Sequence, residues 1–125
     1  MANYLHDDIL DTALAYIETS TENLYITSSV ATTFTEASAT YALGAKASPG
    51  FTGPADGTSG RKITIDAITD GTVTGTGTAA FWALTDDSAS KLLAAGPFAV
   101  GKAVVSGGTF TVDDATVSVT IPDVA

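Results

Sequence analysis

The chain has 125 residues, 45% of them apolar and 15% charged. That suits one domain and is too hydrophobic, with too sparse a charge, for intrinsic disorder. It has no cysteine, which excludes a disulfide framework, a thiolate metal site and a cysteine nucleophile. Its net charge of −9 rests on only five cations, Lys46, Arg61, Lys62, Lys91 and Lys102, too few and too scattered to neutralise the phosphates of a nucleic acid or to hold an anionic membrane.

No run of about 20 apolar residues is present to span a membrane. The opening MANYLHDDIL has neither a basic n-region nor a long apolar h-region, so it is not expected to be a signal peptide. Residues 1–45 carry Asp7, Asp8, Asp11, Glu18, Glu22 and Glu36 with no Lys or Arg. This third of the chain is thus suited to a basic protein surface, although solubility alone also accounts for surface acid.

Leu5, Ile9, Leu10, Ala13, Leu14 and Ile17 recur at spacings of three and four, which predicts a helix over about 6–19. Asp7, Asp8 and Asp11 lie in its first turns, where carboxylates complement the positive end of the dipole. A helix of this length is marginal alone in water, so its stripe must pack on the domain's own sheet or on a partner. A short strand, Leu24 to Thr27, follows. From 28 to 60 the pattern weakens, and the run Pro49 to Gly57, rich in Gly and Pro, predicts an exposed loop over about 46–60. The expected organisation is one domain: an arm and helix over 1–22, short strands and an exposed Gly/Pro loop over 23–60, and a β-rich core over 61–125.

Within 61–121, Ile63 and Ile65 alternate with Thr64 and Asp66, and Asp70-Gly71 reads as a two-residue hairpin turn. Thr72, Thr74, Thr76 and Thr78 fall on one face of the next strand. Val73, Gly75, Gly77 and Ala79 fall on the other, continuing to Phe81 and Ala83. The paired glycines suit the close approach of a backbone or a large ring. Asp86-Asp87-Ser88 is the next turn, and Gly107-Gly108 opens a last hairpin. Phe110 and Val112 sit on even positions but Val117, Val119 and Ile121 on odd ones, so Asp113-Asp114-Ala115 must be a bulge or corner. Turn signals every eight to twelve residues predict a mainly β chain, an antiparallel β-sandwich or small barrel with one N-terminal α-helix.

Residues with catalytic chemistry are few. His6, the single histidine, stands at the helix start beside Asp7 and Asp8 and lacks the setting of a triad base. The adjacent pairs Asp7-Asp8, Asp86-Asp87 and Asp113-Asp114 do not form acid/base dyads, since neighbouring strand residues point to opposite faces. Acidic turns suit calcium, but no Asp-x-Asp-x-Asp-Gly loop is present. Gly75 to Ala80 fits G-x-G-x-x-A, yet strand-like Phe81-Trp82-Ala83-Leu84 stands where the dinucleotide fingerprint needs a helix. Trp82, the only tryptophan, suits a core or a subunit interface. No enzyme activity, cofactor or metal is expected.

The succession Arg61-Lys62-Ile63-Thr64-Ile65, Asp70-Gly71-Thr72-Val73-Thr74, Gly77-Thr78-Ala79, Trp82-Ala83-Leu84-Thr85-Asp86, Gly107-Gly108-Thr109-Phe110 and Ile121-Pro122-Asp123 resembles small virion proteins of tailed bacteriophages. The opening Asn3-Tyr4-Leu5-His6-Asp7-Asp8, with Leu14-Ala15-Tyr16-Ile17 and Tyr41-Ala42-Leu43-Gly44, belongs to the same pattern. These motifs are structural, so no active residue carries over. The resemblance implies a capsid decoration, or cement, protein made in the host cytoplasm and placed on the capsid surface of the virion. Its implied partners are the major capsid protein and further copies of itself, with a trimer favoured by capsid three-fold sites. Tyr4, Leu5 and Ile9 of the N-terminal arm, Phe51 and Trp82 are the expected capsid or subunit contacts. The alternative reading is a tail- or fibre-associated module that binds the host surface.

Overall fold

In the computed structural model, which describes residues 6–56, 60–114 and 116–121, the helix forms where the apolar stripe predicts it. Helix α1 spans Asp7–Ser20. The His6 side chain caps it by accepting from the Asp8 N–H at 3.1 Å, and Asp7 and Asp8 occupy the positive first turn. The chain leaves through Thr21, whose N–H and hydroxyl both donate to the Ile17 carbonyl. The stripe is wider than the face it buries. Leu10 and Leu14 are buried and Ile17 packs on the core, whereas Ile9 and Ala13 face solvent.

Nine strands follow among the described residues: β1 (Asn23–Thr27), β2 (Ala42–Ala47), β3 (Phe51–Asp56), β4 (Arg61–Ile65), β5 (Ile68–Val73), β6 (Gly77–Asp86), β7 (Lys91–Val104), β8 (Thr109–Val112) and β9 (Ser118–Ile121). They form a six-stranded sheet in the order β7-β6-β1-β2-β5-β8 and a three-stranded sheet in the order β3-β4-β9. Every pairing is antiparallel. The protein is thus mainly β, with one N-terminal helix and curled antiparallel sheets in a half-barrel, sandwich-like arrangement.

The two edge strands of the large sheet, β7 and β8, are consecutive in the chain. Residues 105–108 join them through Gly107, whose φ of 90° favours glycine. This link is tied to the start of the β5–β6 connection. Val73 exchanges backbone hydrogen bonds with Gly107 and Gly108, and the Ser106 hydroxyl donates to the Thr74 carbonyl. The sheet therefore curls until its edges face each other.

The core fills that curl with Leu24, Ile26, Val73, Trp82, Leu84, Phe110 and Val112 from the large sheet, closed by Ile65 and Val117 from the small-sheet side. Two glycines receive rings. A Cβ on Gly71 would stand 2.3 Å from the Phe110 ring, and one on Gly96 would stand 2.9 Å from Trp82. On the opposite face of the large sheet, Ala31 and Ala37, the latter in a π-helical turn over Glu36–Thr40, cover Ala83, with Tyr25 and Ala95 packed alongside. In the small sheet, register places Arg61, Ile63 and Ile65 on one face with Val119 and Phe51, and Lys62, Thr64, Thr52 and Thr120 on the other.

Four expectations need correction. The segment 46–60 is not one exposed loop, because β2 runs to Ala47 and Phe51–Asp56 is a strand. Gly53 and Pro54 fall at a register shift in β3, which lies at a sheet edge, where proline is tolerated. Asp70-Gly71 is not a hairpin turn but lies inside β5, since the glycine there seats the Phe110 ring. Gly107-Gly108 opens no hairpin, because β7 and β8 are not partners. Finally, the single strand expected from Thr72 to Ala83 is broken, with β5 ending at Val73 and β6 starting at Gly77, and the β6–β7 register shift between Ala79 and Phe81 puts Trp82 and Leu84 with Ala79 in the main core, in place of Phe81 and Ala83. The parity change after Val112 is the expected corner, where the chain passes from the large sheet to the small one.

Candidate contact surfaces

The expected contact residues have different fates. Tyr4 and Leu5 lie outside the described residues. Ile9 is 56% exposed on α1. Phe51, opposite Ile65 in the small sheet, is half-buried against the core. Trp82 is 7% exposed, with its ring against Gly96, so core packing uses the surface that an interface would need.

Two convergences of polar side chains hold distant chain segments together. At the β6–β7 turn, the Tyr25 hydroxyl donates to Asp87 Oδ2 at 2.8 Å and Thr85 donates to Asp87 Oδ1. Burial pushes the Asp87 carboxyl up, but hydrogen bonds from Thr85, Asn23 and Tyr25 outweigh it and hold it below the usual value. Burial, with the hydrogen bond to Asp87, pushes Tyr25 up to about 12. Glu22 Oε1 accepts from the Ser88 N–H at 2.7 Å, and hydrogen bonding from the Ser88 side chain, then from its N–H, lowers the Glu22 carboxyl. The result is a braced turn.

The second place is Arg61 on β4. Its Nε donates to Asp11 of α1 at 2.7 Å and its Nη1 to Asp56 of β3 at 2.6 Å. These hydrogen bonds, Asp11 first, raise the guanidinium pKa further. One side chain thus ties the helix to two strands of the small sheet. His6 caps α1, and among the described residues no group of three or more His, Asp or Glu is placed to hold a metal ion.

Besides Val30, the large apolar side chains that stand exposed among the described residues lie in two regions. On α1, Ile9 and Tyr16 are 56% and 50% exposed, with exposed Ala13 between them at helical spacing. On β7, Val100 is 81% exposed, and Val105 just beyond it is 67% exposed. Val100 stands at a cleft of about 260 Å³ between the facing edges of β7 and β8, lined by Phe98, Val104, Phe110 and Val112, with Lys102 and Asp113 among its polar lining. Sequence reasoning missed Tyr16 and this cleft. The signal present was one of charge: residues 88–112 hold Lys91 and Lys102 and no acid.

Comparison with protein-family models, with curated proteins and with solved structures finds no match.

Proposed function

We propose that the chain is a structural component of a tailed-bacteriophage virion, a decoration protein that binds the major capsid protein on the outer head lattice and stabilises it without catalysis. The observation that supports this most is the outer face of α1. Apolar Ile9 and Tyr16 stand exposed on a helix that Arg61 fixes to the small sheet, and Tyr4 and Leu5 precede it in the sequence. Such a rigid apolar face suits docking on a protein lattice better than binding a small substrate.

The role is mechanical. Each copy bridges neighbouring capsid subunits, and many weak contacts add through effective concentration. Acidic surface keeps the protein soluble before assembly, and a chain without cysteine needs no oxidising compartment to fold.

Co-sedimentation with assembled shells lacking the protein tests this reading. Hundreds of bound copies in fixed ratio to the major capsid protein are expected, and deletion of residues 1–5 is expected to abolish binding with the circular dichroism spectrum unchanged. Absence of binding to shells together with binding to intact cells would favour a tail module, for which the hydroxyl-rich outer face of the small sheet, with Thr52, Ser118 and Thr120 exposed, is the candidate surface.

A further inference from the structure

We infer that copies of this chain associate head-to-tail, with the outer stripe of α1 on one copy seated in the β7/β8 cleft of the next. The first argument is charge. Helix α1 carries Asp7, Asp8, Asp11 and Glu18 and no basic residue, within a segment, residues 1–45, that has no Lys or Arg. The stretch 88–112, which holds β7 and the whole of β8, has Lys91 and Lys102 and no acid, and of the two Lys102 lines the cleft, beside Asp113. Lys46 is paired with Asp70, and Arg61 with Asp11 and Asp56, whereas Lys62 on the outer face of the small sheet and Lys91 and Lys102 on β7 have no ion pair among the described residues. Two α1 faces brought together set acid against acid, and two β7 edges set lysine against lysine. Of these pairings α1 against β7 is the one that brings opposite charges together, and like charges set against each other at an interface disfavour it.

The second argument is shape and polarity. Ile9, Ala13 and Tyr16 form a single exposed ridge two turns long. The cleft offers an apolar floor of Ile26, Ala79 and Phe110 and a wall of Phe98, Val100 and Val104. Its volume of about 260 Å³ suits one aromatic ring. Tyr16 is the aromatic residue on the ridge, and its hydroxyl meets a polar rim of Lys102, Thr111 and Asp113 that can both donate and accept. The strands beside the cleft are edge strands, each with a sheet partner on one side only among the described residues, so a neighbour covers edges that otherwise invite uncontrolled pairing.

A contact between two different surfaces leaves every open row of copies with one free ridge at one end and one free cleft at the other, and it ends only when a ring closes. This inference stands apart from the capsid reading, since solution mass tests it with no shell present.

The experiment uses the purified full chain with light scattering and sedimentation equilibrium. A closed oligomer is expected for the wild type. Tyr16→Asp and Val100→Asp, both at exposed positions and so compatible with folding by circular dichroism, are each expected to give monomers. Mixed together they are expected to give a one-to-one dimer, because the first retains an intact cleft and the second an intact ridge. Lys102→Glu is expected to weaken assembly and Lys102→Gln to weaken it less. A monomeric wild type, an oligomer untouched by either Asp substitution, or a mixture that stays monomeric would each overturn the proposal. The mixture is decisive, because a self-complementary contact through α1 alone or β7 alone cannot be restored by it.

Discussion

The two sheets are held by different physics. The six-stranded sheet relies on apolar burial and close approach: Trp82 over Gly96 and Phe110 over Gly71, with Leu24, Ile26 and Leu84 between. The three-stranded sheet is short, and Arg61 ties it to α1 through Asp11 while pairing with Asp56 inside the sheet. Apolar packing is insensitive to salt and fails by cavities. Partly exposed ion pairs are screened and fail locally. The half-barrel is therefore expected to be the stable body of the molecule, and the helix with the small sheet its more labile cover.

The largest effect should come from Trp82. Trp82→Ala is expected to destabilise the protein by about 3–5 kcal/mol, the range for emptying a large aromatic site in a core, measured by denaturant unfolding. Gly96 sharpens the test. In the wild type, Gly96→Ala drives a methyl group into the indole and should cost about 1–3 kcal/mol as overpacking. In the Trp82→Ala background the ring is gone and that cost should largely disappear. Additive effects across this double-mutant cycle would mean that the ring and the glycine do not share one packing site.

The same contrast explains what was legible in the sequence. Helix α1 was readable because its period and its acidic first turn agree, and the sheet change after Val112 was readable because parity cannot shift without an irregular residue. Local turn chemistry misled at Asp70-Gly71. A glycine that frees the backbone for a turn also makes room for a ring, and only the distant Phe110 decides between the two. The Gly53-Pro54 pair misled similarly, because an edge strand tolerates what a central one does not. The contact surfaces were half legible. Ile9 belongs to the periodic stripe, but the cleft is made where β7 and β8 face each other through the curl of the whole sheet, which no local pattern encodes.

An intermediate effect is expected at Arg61. Arg61→Gln leaves Asp11 and Asp56 without their cation, so α1 and strands β3, β4 and β9 should open more readily while β1, β6 and β7 keep their protection. Native-state amide exchange should show several-fold faster exchange in the first group only, with less global destabilisation than Trp82→Ala. The difference from wild type should shrink as salt is added. Equal acceleration in both sheets would show that the two regions open as one unit and would break the comparison.

The smallest effect should come from Glu18, near the carboxyl end of α1. Its Oε1 is buried with no hydrogen-bond partner, burial raises its pKa, and the helix dipole places negative charge at that end unfavourably. At neutral pH the ionised group is a penalty, so Glu18→Gln should stabilise the protein, by at most about 1 kcal/mol given its partial exposure. Because the folded value is raised, the wild type recovers this penalty as pH falls through that value and loses it again as pH rises. Asp87, at the β6–β7 turn, behaves in the opposite sense. Its lowered value gives stability that is present above the unfolded value of about 3.9 and lost as pH falls through the folded one. On acidification from neutral pH, the Glu18→Gln advantage should therefore shrink first, while Asp87 still contributes, and the losses in the Asp87 brace should follow at lower pH. Unfolding curves of wild type and Glu18→Gln across that range test the order. An advantage that stays constant with pH would mean that the substitution acts through packing rather than charge, and the two regions would then not titrate in opposite directions.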